Sequence, residues 1–397
     1  MQELLSIDQA LAFILERARP LPAEVVPLEE AVGRVTAEAA SALVDLPPFP
    51  SSAMDGFALR AEDTPGTLPV VGRIAAGRPV GRELGAGEAM GIATGGVVPA
   101  GADAVIPIEY VVEHDNTIGV GDAVRVGANV RARGGDVRAG EEVVPAGARI
   151  GAAQVGALAA AGAAELSCAR RPRAAVLTTG TELRPLGETL RDGEVYEANG
   201  VMLAAQLGSA GAVVERLPAV EDDEAAHRAA LERALSVDVV VTSGGVSVGP
   251  HDLVRKIEAE LGVEELFWGV AVKPGKPLSF GVRGPTLVFG LPGNPVSSLV
   301  GFELFVRPAV LALQGAQRPM PAFRTGRLAE AVRRIPTRDQ LLRARSEDVD
   351  GAVDLRVLVG QESHMIARAA SADALVLVPR GEGDVGAGSD VRFLALG

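Results

Sequence analysis

Apolar positions change their period several times along the chain. Near the N-terminus Ile7, Leu11, Ile14, Leu15 and Ala18 share one helical face behind Ser6-Ile7-Asp8-Gln9, which has capping-box spacing. A helix to about Arg19 is predicted, ended by Pro20 and Pro22. A second helix is expected over 28–40, running into Leu46-Pro47-Pro48-Phe49-Pro50, whose prolines require extended backbone. From 51 to about 133 no helical period persists, and brief apolar runs between glycines predict a small all-β unit. Helical signals return at 152–161, closed by Gly162, and this segment is expected to rejoin the N-terminal helices, making the β unit an insertion.

From 172 to about 315 strands and helices alternate. Strands are predicted at 174–178, 213–217, 239–242 and 286–289, with helices near 200–207, 222–235, 250–261 and 295–313, the pattern of an α/β unit with a mostly parallel sheet. After Met320-Pro321, short apolar runs at 340–344, 353–359, 374–378 and 391–396 predict a second small β domain. The expected fold is multidomain α+β. An N-terminal helical domain (1–48 with 134–171) carries an inserted β domain (49–133), followed by a central α/β domain (172–317) and a C-terminal β domain (318–397).

Composition narrows the classes. At 397 residues, 48% hydrophobic and 22% charged, the chain is expected to be a soluble multidomain protein. No uninterrupted apolar run reaches transmembrane length and no leader pattern opens the sequence, so a cytoplasmic location without membrane attachment is expected. The 38 basic against 51 acidic residues give −13, which argues against nonspecific nucleic-acid binding. The single cysteine, Cys168, rules out an internal disulfide and a cysteine-based zinc cage, and the four histidines lack zinc spacing.

Ligands of such sheets sit at the carboxyl ends of strands, and three of those ends carry distinctive loops. The first is Thr179-Gly180-Thr181-Glu182. The second runs through Ser243, Gly244, Gly245, Ser247 and Gly249 to Asp252, with P-loop glycine spacing but Pro250-His251 where the lysine and hydroxyl would stand. In isolation Asp252 is either a functional carboxylate or one favoured by the helix dipole. In the third loop Asn294, before Pro295, reads as a helix cap that leaves the amides of Val296 to Ser298 open to an anion. Only three of the cations are lysines, and two of them, Lys273 and Lys276, flank one Pro-Gly turn, a sign that a compact ammonium is needed there. Lysines and loop amides suit an anion, whereas Glu182, Asp222 and Asp252 beside them call for a bridging cation such as Mg²⁺ or a moving proton. Phosphoryl or nucleotidyl chemistry fits that pairing. Asp55, Thr94, Arg343 and Ser363 have ordinary turn or surface readings when taken singly.

Five ordered blocks go further. Ser52-Ala53-Met54-Asp55-Gly56-Phe57, Pro99-Ala100-Gly101-Ala102-Asp103-Ala104, Ser243-Gly244-Gly245-Val246-Ser247-Val248-Gly249, Lys273-Pro274-Gly275-Lys276-Pro277 and Gly290-Leu291-Pro292-Gly293-Asn294-Pro295 together resemble the molybdopterin molybdenumtransferase (MoeA) family, which includes the gephyrin E domain. The resemblance covers nearly the whole chain. It implies insertion of molybdate into adenylylated molybdopterin with release of AMP and help from Mg²⁺. It also implies an elongated homodimer with the active site between subunits, and a molybdopterin adenylyltransferase as pathway partner. By motif position, Asp252 matches the essential carboxylate, with Glu182 and Asp222 as further acidic positions and Asp222 with Asp252 as magnesium ligands. Lys273, Lys276, Ser297, Arg343 and Ser363 match the molybdate pocket, and the Ser243, Gly244, Gly245, Ser247 loop matches a substrate-binding loop. Asp55, Thr94 and Asp136 match positions facing the partner's cleft. The sequence departs from the family pattern at Pro50-Ser51-Ser52, Gly135, Leu342 and His364. The preceding adenylyl transfer is the alternative reaction, disfavoured by the two β units and the N-terminal helices. A non-catalytic scaffold is disfavoured by the retained lysines and Asp252.

Overall fold

In the computed structural model, which describes residues 4–220, 223–245 and 253–396, Ser6 caps the first helix as its spacing predicts. Its hydroxyl accepts from the Gln9 N–H at 3.1 Å, and the Gln9 side chain accepts from the Ser6 N–H at 2.8 Å. Two amides that helix geometry leaves unpaired are thereby satisfied. The buried face of α1 (Ile7–Arg17), made of Ile7, Ala10, Leu11 and Ile14, packs into the core of the central α/β unit.

The helix expected over 28–40 does not form. The chain passes through β1 (Ala23–Pro27), one 3-10 turn at Leu28–Glu30, and Gly33 at φ 80°. The cause is tertiary, because the partners of this stretch lie far along the chain. Strand β1 pairs antiparallel with β2 (Glu165–Ala169), while the Thr36 and Ala37 amides reach the Ala148 and Ser167 carbonyls at 3.0 and 2.9 Å. Helix α2 (Ala152–Ala160) lies where predicted and shares a small core with this paired layer. Between the paired segments, six short strands within 56–120 form one sheet around apolar clusters that include Phe57, Leu59, Ile118, Met90 and Val105. Gly56 is obligatory there, since a Cβ would stand 2.0 Å from the Ile106 carbonyl oxygen.

The central unit contains β3 (Arg173–Thr178), β4 (Val213–Arg216), β5 (Val239–Ser243), β6 (Glu264–Trp268), β7 (Val272–Lys273), β8 (Ser279–Arg283) and β9 (Thr286–Leu291). Six of them form a sheet in the order β4-β3-β5-β9-β8-β6. The first three pairings are parallel and the last two antiparallel. All residues of β5 and β9 are buried, as apolar strands covered on both faces should be. On one face α3 (Asn199–Ser209) contributes Leu203 and Leu207 to the core; on the other, α4 (Glu224–Ala234) and α5 (Leu253–Glu260) contribute Leu231 and Ile257. A continuous helical stretch runs from α6 (Pro295–Gly301) through a π turn at Phe302–Val306 into α7 (Arg307–Leu313). It is apolar enough by length and composition to cross a membrane, with mean hydropathy 1.6, yet 78% of it is buried here as a core helix. Its two charges, Glu303 and Arg307, pair with each other at 2.6 Å.

The C-terminal strands are β10 (Arg324–Leu328), β11 (Asp339–Val349), β12 (Ala352–Val357), β13 (Ala374–Val378) and β14 (Asp390–Ala395). Their order is β11-β12-β10-β14-β13, and β13 returns to β11, so the five close on themselves and leave few free edges. The start of β11 also pairs in parallel with β7, Val272 beside Asp339 and Lys273 beside Gln340. That short ladder ties the lysine turn of the α/β unit to the barrel.

Candidate active site

The three glycine-bearing loops converge at the carboxyl edge of the central sheet. The Thr179 N–H donates to the Ser243 carbonyl and the Gly244 N–H to the Leu291 carbonyl, each at 3.1 Å. Gly244 has φ 95°, and a Cβ on it would lie 2.6 Å from the Thr179 carbonyl oxygen, so the close approach requires glycine. The Ser243 hydroxyl, expected to bind substrate, is buried in an internal network instead. It accepts from Asn199 Nδ2 at 2.9 Å and donates to the Pro292 carbonyl at 3.2 Å, while Asn199 Nδ2 also reaches the Gly293 carbonyl at 2.7 Å. Asn199, at the start of α3, therefore joins two of the loops. Nothing in the sequence marks it beyond an isolated Asn before Gly200.

Beside these loops lies a cavity of about 530 Å³ between the α/β unit and the barrel. Lys273, Gly275 and Lys276 line it from one side, Asn294 and Ser297 from the start of α6, and Arg338, Glu362, Ser363 and His364 from the barrel. Both lysines are exposed and neither makes an ion pair among the described residues. Ser297 is buried. The expectation that the amides after Asn294 stand open to an anion is corrected: the Val296 N–H donates to the Ser363 carbonyl at 3.0 Å and the Ser298 N–H to the Asn294 carbonyl at 3.1 Å. Asn294 does occupy the cap position of α6, but its side chain makes no capping bond and faces the cavity.

Arg343, expected in the molybdate pocket, does not line the cavity. It is 1% exposed, and its guanidinium donates to the carbonyls of Met365 (2.6 Å), Gly360 (2.7 Å) and Glu362 (3.2 Å). It props the loop that presents Ser363 and His364. Burial holds this guanidinium below its ordinary pKa.

The β unit brings Asp55 and Thr94 together. Asp55 Oδ1 accepts from the Thr94 N–H at 2.6 Å and the Thr94 hydroxyl at 3.0 Å, and these bonds hold the carboxyl below the usual range. Asp136 is exposed nearby in sequence to the returning strap, its N–H donating to the Leu46 carbonyl at 2.9 Å. None of Asp55, Thr94 and Asp136 lines the cavity, nor does Glu182, which is exposed with its carboxylate over Gly180. Asp222, Ser247 and Asp252 lie outside the described residues. Among the described residues no three acidic, imidazole or thiol groups gather to hold a metal ion.

Three family models match the chain in order: the MoeA N-terminal region (domain I and II) over 5–162, a probable molybdopterin binding domain over 175–312, and the MoeA C-terminal region (domain IV) over 325–396. The chain is 34% identical to the molybdopterin molybdenumtransferase of Haemophilus influenzae, over 98% of each sequence. It is 35% identical to molybdopterin molybdenumtransferase 2 of Mycobacterium tuberculosis, over 99% of each. A crystal structure of the molybdopterin biosynthesis MoeA protein from Pyrococcus horikoshii superposes with a TM-score of 0.82 at 32% identity, covering 99% of each chain. Sequence likeness thus runs through the N-terminal units, the glycine-loop sheet and the barrel alike, and the chain belongs to the molybdopterin molybdenumtransferase (MoeA) family.

Proposed function

We propose that this chain inserts molybdate into adenylylated molybdopterin, cleaving the phosphoanhydride and releasing AMP, as a step of molybdenum cofactor biosynthesis. The observation that carries the reading is the cavity in which two lysines, unpaired among the described residues, meet Ser297 and Ser363 beside the 292–294 turn that Gly244 approaches. A volume of about 530 Å³ is in the range of organic-ligand sites, so it has room for an oxyanion and the reacting end of a larger substrate. Lys273 and Lys276 would neutralise the two anions as they approach, and the serine hydroxyls would orient the oxyanion. Asp252 and Glu182 are assigned to positioning the phosphoanhydride, and Asp222 with Asp252 to holding Mg²⁺. Gly244, Gly245 and Ser247 are assigned to substrate binding, with Ser243 and Arg343 acting through the loops they support.

The proposal includes a cytoplasmic homodimer. Asp55, Thr94 and Asp136 would complete the partner's cleft, in keeping with their absence from the cavity of their own chain. A molybdopterin adenylyltransferase would supply the substrate. The unit boundaries 1–48 with 134–171, 49–133, 172–317 and 318–397 are proposed with α1 docked on the third unit. AMP release from adenylylated molybdopterin tests the reading. Release should depend on molybdate, and Asp252→Ala should lower it by roughly 10²–10³. Adenylyl transfer from ATP to molybdopterin without molybdenum insertion would replace this reading with the preceding step.

A further inference from the structure

Arg338 carries none of the motif signals, yet it lines the same cavity as Lys273 and Lys276. It is half-buried, and its guanidinium makes no ion pair or hydrogen bond with any described residue. Several half-buried arginines are paired, Arg170 with Asp238, Arg184 with Glu194 and Arg307 with Glu303, while Arg334, which also lacks a described side-chain partner, does not line this cavity. Its position is also fixed by the backbone. The next residue, Asp339, opens β11, donates its N–H to the Ala271 carbonyl at 2.9 Å, and pairs with Val272 one step before Lys273. Arg338 therefore stands one residue before the ladder that holds the lysine turn. The charges on the cavity wall are Lys273, Lys276 and Arg338 against Glu362, which leaves two positive charges before any contribution of His364. That matches a dianion.

We propose that Arg338 binds the tetrahedral dianionic oxyanion directly, its two parallel N–H groups gripping one edge of the anion. The lysines act as point charges and leave orientation to the fork. Affinity for the oxyanion, rather than for the larger substrate, is then set at Arg338. This assignment rests on the molybdate reading above.

The test measures molybdate affinity by titration calorimetry on the full chain, together with separate KM values for molybdate and for adenylylated molybdopterin. Arg338→Gln should weaken molybdate binding, and raise its KM, by about 10- to 100-fold, the loss of one charge-assisted pair. The KM for adenylylated molybdopterin and the melting temperature should stay unchanged. Arg338→Lys should recover only part of the affinity. Unchanged molybdate affinity in Arg338→Gln, or an equal loss for both substrates, overturns the role of Arg338 and leaves the function standing. A wild-type chain that takes up no molybdate in either measurement overturns the functional reading and this assignment with it.

Discussion

Lys273 and Lys276 are held on a turn where the chain departs from its own preference for arginine. An ammonium presents three donors that rotate freely, while a guanidinium is planar and longer. Lys276→Gln should therefore raise the KM for molybdate roughly 10-fold or more, and Lys276→Arg should fail to restore it although the charge is kept. Steady-state kinetics at varied molybdate would show this. Asp55 gives a second residue-level expectation. Its folded pKa is depressed by the Thr94 N–H and hydroxyl, so the interaction is present above the unfolded value near 3.9 and fades as pH falls through the lower folded value. Thr94→Ala removes the hydroxyl and keeps the amide. An NMR titration should find the Asp55 carboxyl moved part of the way back toward its ordinary range, and no movement would remove the hydroxyl from the account. At this scale the sequence is an uneven guide. Asp55 stands in one of the ordered blocks, but Arg343 carries the right residue type for anion binding while pointing at carbonyls. Asn199 joins two loops and Arg338 lines the cavity, and no spacing announces either.

Among elements, the parallel strands are the most legible. Their β-branched runs are buried on both faces, so the local pattern and the tertiary environment agree. The stretch 28–40 fails for the opposite reason: its apolar spacing permits a helix, but strand and amide partners at 148–169 claim its backbone. Strand β7 is only two residues long, and its partner belongs to the barrel, so the apolar run 267–272 does not reveal it. Two predictions concern how elements are joined. Asp238, at the entry to β5, accepts both Arg170 guanidinium N–H groups at 2.9 Å and the Arg173 amide at 2.7 Å. Burial pushes its pKa up, but the Arg170 and Arg173 bonds outweigh burial and hold it below the ordinary value. The stabilisation is present above the unfolded pKa near 3.9 and is lost as pH falls through the depressed folded value. Asp238→Asn should lower the melting temperature at pH 7, and the difference from wild type should shrink as pH falls below the ordinary aspartate range. A difference that stays constant with pH would mean that the charge is irrelevant. In the barrel, Arg343→Met should strand three carbonyls and destabilise by about 3 kcal/mol in denaturant titration. It should also weaken molybdate binding by releasing the Ser363 loop.

The whole molecule places its lysine-lined cavity between a sheet edge and a barrel, with the carboxylate of the β unit elsewhere. Five sequence blocks make the family legible, but the joint between units is legible only in space, because it is built from a two-residue ladder, the Val296 to Ser363 bond and barrel leucines such as Leu341 and Leu377 packed into the central core. If the partner supplies Asp55, mixing Asp55→Asn chains with Lys276→Gln chains should restore part of the activity that each lacks alone. Absence of recovery in mixed dimers would place Asp55 in its own chain's chemistry. The central claim is tested most directly by following AMP release from adenylylated molybdopterin against molybdate concentration, for the wild type and for the Lys273→Gln, Lys276→Gln double variant. The expected result is molybdate-dependent release by the wild type and, at limiting molybdate, a loss of 10²-fold or more in the folded double variant, on the order of one removed electrostatic group. A double variant that releases AMP at the wild-type rate under limiting molybdate would contradict the account.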